Sequence, residues 1–160
     1  MARPYTGNSD GVSKTGKRPG VERFGEACVN RFKAKNLGTF VNRPMRSNPT
    51  MLSVHATGRA IDVEIPKAHK KQFLEGMIAC ADDFLLEEFH DYAYKDPKQG
   101  KAWGRGWRCN RHGKPGWKIW NSIDNGGTPE ASWYHLEFAP AAADNPDLIM
   151  EAWRKAFPKP

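Results

Sequence analysis

Apolar positions recur at helical spacing in two stretches of the chain. Val21, Phe24, Cys28 and Phe32 stand three or four residues apart and predict an amphipathic helix from Val21 to about Asn36. Leu37-Gly38 follows it, with glycine supplying a left-handed stop. Phe73, Met77, Ala81 and Phe84 predict a second helix over about 67–83. A third helix is read from its start signals: in "NPDLIMEAWRKAF" (145–157) Asn145 is placed to cap and Pro146 to fill the first turn. Strand patterns lie between these helices. "RAIDVEI" (59–65) alternates apolar and polar residues until Pro66 ends it, and "SWYHLEF" (132–138) reads the same way. "GTFVNR" (38–43) has strand composition, and "PMRSNPT" (44–50), with two prolines, is a loop. "LLEEFHDYAY" reads both ways. Phe89, Tyr92 and Tyr94 favour a strand over 87–94. Helices and strands mix without regular βαβ alternation, which predicts an α+β fold: a small antiparallel sheet flanked by helices.

Two segments carry no such pattern. Residues 1–20, with four glycines, two prolines and four basic residues, read as a flexible or loosely docked basic arm ahead of a single domain over 21–160. The stretch 95–129 is rich in glycine and basic residues and holds Trp103, Trp107, Trp117 and Trp120. A loop this long in a small domain is usually functional. It reads equally as the wall of a binding groove or as a tryptophan-rich cap over the core.

Composition narrows the class. With 160 residues, 39% hydrophobic and 11% aromatic, the chain suits one globular domain. No window approaches the length of a membrane span, and the N-terminal stretch lacks the apolar region of a secretory leader. The net charge of +7 favours anionic partners. No Lys/Arg block marks a nucleic-acid arm, so nucleic acid is not the expected partner, although a small basic protein stacking bases on its tryptophans is a competing reading. Cys28, Cys80 and Cys109 are odd in number and widely spaced, so no disulfide framework is expected. Cys109 and His112 have half a zinc-site spacing, but no second pair follows.

Among five histidines, His69 and His112 lie in solvated segments, and His90 either lines a cleft or packs in the sheet. His55 and His135 keep different company. His55 precedes Asp62 by seven residues, with Gly58 to turn the chain and small Ala56 and Ala60 to permit close approach. Asp62 stands between Ile61 and Val63 in a strand. A carboxylate there is costly unless it is paired or holds a metal. Its plain alternative is a bond to a backbone turn or to Arg59. His135 and Glu137 share one face of their strand, because side chains alternate. Their plain alternative is a cross-strand polar pair facing solvent. Two histidines and one carboxylate are also the three protein ligands of a catalytic zinc, with the fourth position left to water.

The stretch "SVHATGRAID" resembles the SxHxxGxAxD signature of the D-alanyl-D-alanine carboxypeptidase and L-alanyl-D-glutamate endolysin family of zinc peptidases, of lysostaphin-like metallopeptidase fold, with Ser53, His55, Gly58, Ala60 and Asp62 all in place. "YHLEF" resembles the strand that carries the family's third ligand, and "GTFVNRPMRSNPT" its arginine-proline lead-in. The resemblance covers about 38–65 and 132–138. It implies Zn2+ held by His55, Asp62 and His135, a substrate carboxylate or oxyanion met by Arg43 or, second, by Arg46, and Ser53 as a supporting hydrogen-bonder. It implies a monomeric peptidase of bacterial peptidoglycan, of phage endolysin type: made in the host cytoplasm and acting on the wall after release or from the virion. The alternative is a non-catalytic wall-binding or virion module that keeps the fold. One position departs from the family. Where an acidic residue often precedes the third ligand by three, this chain has Ser132. Glu137, on the metal face, is then the preferred acid/base, unless it only orients a ligand, and Glu130 is the second candidate.

Overall fold

A computed structural model describes residues 3–100, 102–125 and 129–159. Helix α1 (Pro19–Phe32) opens with Pro19 at its first turn and closes on Lys33 in the left-handed conformation (φ 57°), whose N–H bonds to the carbonyl of Val29. The helix ends four residues before the expected stop because Lys33, not glycine, makes the turn. β1 (Lys35–Gly38) therefore begins where the helix was expected to continue. Thr39–Arg43, expected as strand, peels away from the sheet instead. β2 (Ala60–Glu64), α2 (Lys70–Ala79), β6 (Tyr134–Phe138) and α4 (Pro146–Ala156) fall within the expected segments, whereas β3 (Leu86–Asp91) starts one residue before the expected 87–94 and ends before Tyr92 and Tyr94, where the chain turns. Asn145 caps α4, its side chain accepting from the N–H groups of Asp147 and Leu148. The tryptophan-rich stretch is not one loop: it contains the hairpin of β4 (Arg105–Arg108) and β5 (Gly116–Ile119). A short helix, α3 (Pro140–Ala143), links β6 to α4.

The fold is α+β, a six-stranded antiparallel sheet in the order β1-β2-β6-β3-β4-β5. Alternation divides its faces. Ile61, Val63, Phe89, Leu136 and Phe138 point towards the helices and join Phe24, Phe32, Phe73, Phe84 and Trp153 in one apolar core running from Val21 to Phe157. Aromatic edges meet faces where Phe24 packs against Phe84 and Phe138, and Phe73 stacks on Phe157. No helix among the described residues is long and apolar enough to cross a membrane.

The opposite face of the sheet is polar, and the N-terminal segment covers part of it. Of the two readings of this segment, flexible or loosely docked, the docked one describes it. Pro4 pairs with Asn110, and Arg3 donates to the carbonyl of Leu86 at 2.6 Å. Thr6 and Gly7 donate to the buried carboxylate of Glu87, and Arg18 binds Asp10 and Asp144 at 2.6 Å each. Arg59, fully buried, joins this network through Asp10 (3.1 Å), the Thr6 hydroxyl (2.6 Å) and Glu87 (3.7 Å). Burying a guanidinium is affordable only with such partners.

Candidate metal centre

Strand register assembles the polar face. Asp62 on β2 is the direct partner of His135 on β6, and His135 is the partner of His90 on β3. His90 in turn faces Gly106 on β4. The next row places Ala60, Glu137, Glu88 and Arg108 side by side. Residues far apart in sequence thus form two rows across the sheet, all pointing away from the core.

His55 arrives from a 3-10 turn, Val54–Thr57, closed by Gly58 at φ 73°. A Cβ at Gly58 would stand 2.6 Å from the carbonyl oxygen of Gly16, so both the backbone angle and the docked N-terminal segment require glycine there. Ala56 and Ala60 are wholly buried and leave room for the turn to lie against the sheet. The imidazole Nε2 of His55 reaches to 3.3 Å from Asp62 Oδ2, while its Nδ1 lies 3.3 Å from the Thr39 carbonyl. The departure of Thr39 from β1 is what brings that carbonyl to the ring. His135 Nδ1 is 2.8 Å from Asp62 Oδ1, and its Nε2 is 3.0 Å from Glu137 Oε1. Asp62 does not turn to Arg59, which is engaged elsewhere.

The donor set could hold a metal ion. One ligand atom each from His55, Asp62 and His135 lies within 4.8 Å of the others. Ligands roughly 2.0–2.1 Å from a tetrahedral ion stand about 3.3 Å apart; here the two imidazoles lie 3.3 and 2.8 Å from the Asp62 oxygens. Each imidazole also has a second partner that fixes its orientation: the Thr39 carbonyl for His55 and Glu137 for His135. This is the arrangement that outer groups adopt around metal-bound histidines. The charges agree with it. Burial works against the charged forms, but the bonds from His135 and His55 hold the Asp62 carboxyl far below the usual range. For His135 burial likewise opposes charge, yet bonds to Asp62 and Glu137 push it up to about 10. The pocket attracts positive charge, and a divalent cation is one way to provide it.

The triad lies in a cleft of about 600 Å³. Arg43, Arg46 and Ser53, expected at the substrate, line it. Arg43 Nη1 donates to the carbonyl of Pro44. Ser53 supports the site through its backbone, its carbonyl accepting from Ala56 N–H at 2.9 Å, and forms no side-chain cap bond. Glu137 is 5% exposed, and both its oxygens are engaged, one with His135 and the other with the Tyr5 hydroxyl at 3.1 Å. These contacts suit the orienting role that is the alternative for it. Glu130 does not line the cleft; it is exposed on a turn (φ 62°). Ser132 also faces away, its hydroxyl donating to Glu64 at 2.7 Å.

Several cleft residues were not legible as site residues. His90, read only as cleft or sheet, packs its ring against that of His135, with centroids 4.8 Å apart. Its Nε2 is 2.7 Å from Glu88. Burial would raise the Glu88 carboxyl, but the bond to His90 and the charges of Arg108 and Arg111 hold it down at about 2. Trp120 packs edge-on to His90 and fills the slot above Gly104 and Gly106, where a Cβ at Gly106 would stand 2.8 Å from the indole. Alternate glycines in "WGRGW" were the available signal, since two missing side chains on one strand face leave space for a flat ring.

An α+β fold with a His/Asp/His cluster at the floor of a cleft is the class that the fold and site define. No family model, curated protein or solved structure matches the chain.

Proposed function

We propose that the chain is a zinc-dependent peptidase of bacterial wall peptides. The observation that carries this reading is the convergence of His55, Asp62 and His135, the residues of the SxHxxGxAxD and YHLEF motifs, from a turn and two strands onto one point of a cleft. Bound there, zinc would polarise a peptide carbonyl and lower the pKa of a water to about 7.

The chain's own groups supply the rest. His55 and His135 are held by Thr39 and Glu137 so that their other ring nitrogens face Asp62. His90 fills the role left open by Ser132. Buried Glu88 takes the Nε2–H of His90 and so leaves Nδ1, 3.4 Å from the Tyr92 hydroxyl, as the nitrogen that accepts a proton. Nδ1 accepts the proton of the attacking water and returns it to the leaving amine. Arg43 and Arg46, on the loop that precedes His55, supply positive charge for a substrate carboxylate or a developing oxyanion. Tyr92 and Trp133, both partly exposed, give the cleft an aromatic wall against which a peptide packs, and buried Trp120 backs it. The +7 charge favours approach to an anionic wall. A phage-released or virion-carried lysis enzyme is the setting that suits these properties.

The test is release of new amino groups from purified peptidoglycan. Turnover is expected in the presence of zinc, to vanish with chelator and to return with added zinc. His90→Gln is expected to lower kcat by roughly 10²–10⁴-fold while retaining one zinc per chain. Undiminished turnover in that variant would remove His90 from the mechanism. Stoichiometric zinc with no release of amino groups from any wall would favour the alternative, a wall-binding module that keeps the fold.

A further inference from the structure

The cleft contains a second charged group that the peptidase chemistry does not use. Arg108, at the end of β4, and Arg111, in the turn after it, both meet Glu88. Glu88 is 2% exposed and lies in the sheet row beside Glu137. Glu88 is shared between His90 and both guanidiniums, so neither arginine has that carboxylate to itself; Glu137 also acts on Arg111, and Asp124 on Arg108. Neither arginine is spent by its contact. Arg111 binds Glu88 through Nη1 alone and lies flat against the Tyr5 ring, 4.6 Å from the centroid. Arg108 Nε stands 3.1 Å from Glu88 but is not aligned for a hydrogen bond; it is a buried donor without an acceptor. Both side chains line the cleft, about a quarter to a third exposed (24% and 30%). A guanidinium pair fixed on one side by a buried carboxylate and a ring has lost its rotamer freedom before any ligand arrives. Its remaining N–H groups are then available at little further entropy cost.

We propose that Arg108 and Arg111 form a carboxylate-binding subsite, distinct from Arg43 and Arg46, that takes an acidic group of the peptide beside the scissile bond. Its place relative to the triad follows from contacts. Tyr5 touches Arg111 on one side and Glu137 on the other, and Glu137 touches His135. The subsite is therefore two side chains from the metal ligands, within the span of neighbouring residues of one bound peptide. The choice of a peptide carboxylate rests on the peptidase reading; the need for an oxyanion rests on the arginines themselves. The docked N-terminal segment gains a role too, because Tyr5 holds Arg111 in place.

The experiment is a two-dimensional NMR titration of the full zinc-loaded chain with two stem peptides. They are identical except that the D-glutamate α-carboxyl is free in one and amidated in the other. Binding is read from the Nε–Hε signals of Arg108 and Arg111, and hydrolysis from new peptide signals. The free acid is expected to bind about tenfold more tightly and to shift both arginine signals, which the amide leaves in place. Arg108→Gln and Arg111→Gln are each expected to reduce the preference to within about twofold, whereas His69→Gln, outside the cleft, keeps it. Arg111→Lys, which keeps the charge without the fork, is expected to fall between. If a glutamine variant does not fold, the wild-type arginine shifts decide alone. Equal affinity for the two peptides, no binding of either, or a preference that survives both glutamine variants would overturn the subsite. Hydrolysis without preference removes the subsite and leaves the peptidase reading intact; preference without hydrolysis does the reverse.

Discussion

His135→Ala is expected to lose bound zinc and to reduce peptide hydrolysis to background, and His55→Ala to do the same. Each substitution removes one of three donors and also disturbs a carboxylate. Without His135, Asp62 and Glu137 lose the imidazole that bridges them at 2.8 and 3.0 Å, leaving two partly or fully buried anions on adjacent strands. Without His55, Asp62 loses one of its two imidazole partners. Metal analysis of the purified variants gives the first readout and amino-group release the second. His69→Ala and His112→Ala serve as controls, because neither lines the cleft, and both are expected to keep zinc and activity. Full zinc content in both His55→Ala and His135→Ala would show that the ion sits elsewhere.

The largest expected effect on stability lies outside the cleft. Arg59→Ala is expected to destabilise the fold by about 3–5 kcal/mol, the usual cost of removing one member of a buried ion pair. Arg59 has no exposed surface, and neither has Glu87, the carboxylate it faces. Glu87 keeps hydrogen bonds from Thr6 and Gly7 but loses its counter-charge. The substitution also removes the contacts of Arg59 to Asp10 and to the Thr6 hydroxyl, so the N-terminal segment keeps Arg18 and Glu87 as partners but loses two of its anchors. Urea titration followed by tryptophan fluorescence measures the loss. The double variant Arg59→Met with Glu87→Gln is expected to recover part of it, since no lone charge is then left buried. A loss below about 1 kcal/mol for Arg59→Ala would mean that the network does not anchor the segment.

Local patterns carried the core well. Phe73, Met77 and Phe84, chosen by spacing, are fully buried, and so are Val21, Phe24 and Cys28. The grouping of His55, Asp62 and His135 was legible through the resemblance to the SxHxxGxAxD motif; alternation alone placed His135 and Glu137 on one face, and the register that makes Asp62 and His135 partners is visible only in the sheet. What local reading missed depends on contacts between distant residues. The N-terminal segment is polar and glycine-rich, yet it is docked through Arg3, Thr6, Asp10 and Arg18 to groups many residues away. The β4–β5 hairpin was hidden because Gly104 and Gly106 interrupt the alternation, and the side chain that fills their place, Trp120, comes from after the hairpin. The strand predicted over 38–43 fails for a similar reason. Lys35–Gly38 pairs with β2, while Thr39 leaves the sheet to set its carbonyl against His55. The place of His90 had no local signal: it becomes a neighbour of His135 only when β3 pairs with β6.

The most direct test of the account is digestion of defined muropeptides by the zinc-loaded chain, read by mass spectrometry. The expected result is a pair of fragments whose masses together exceed the parent by one water, formed with zinc, absent with chelator and absent in the His135→Ala variant. Intact muropeptides after prolonged incubation with protein that carries one zinc per chain would contradict it.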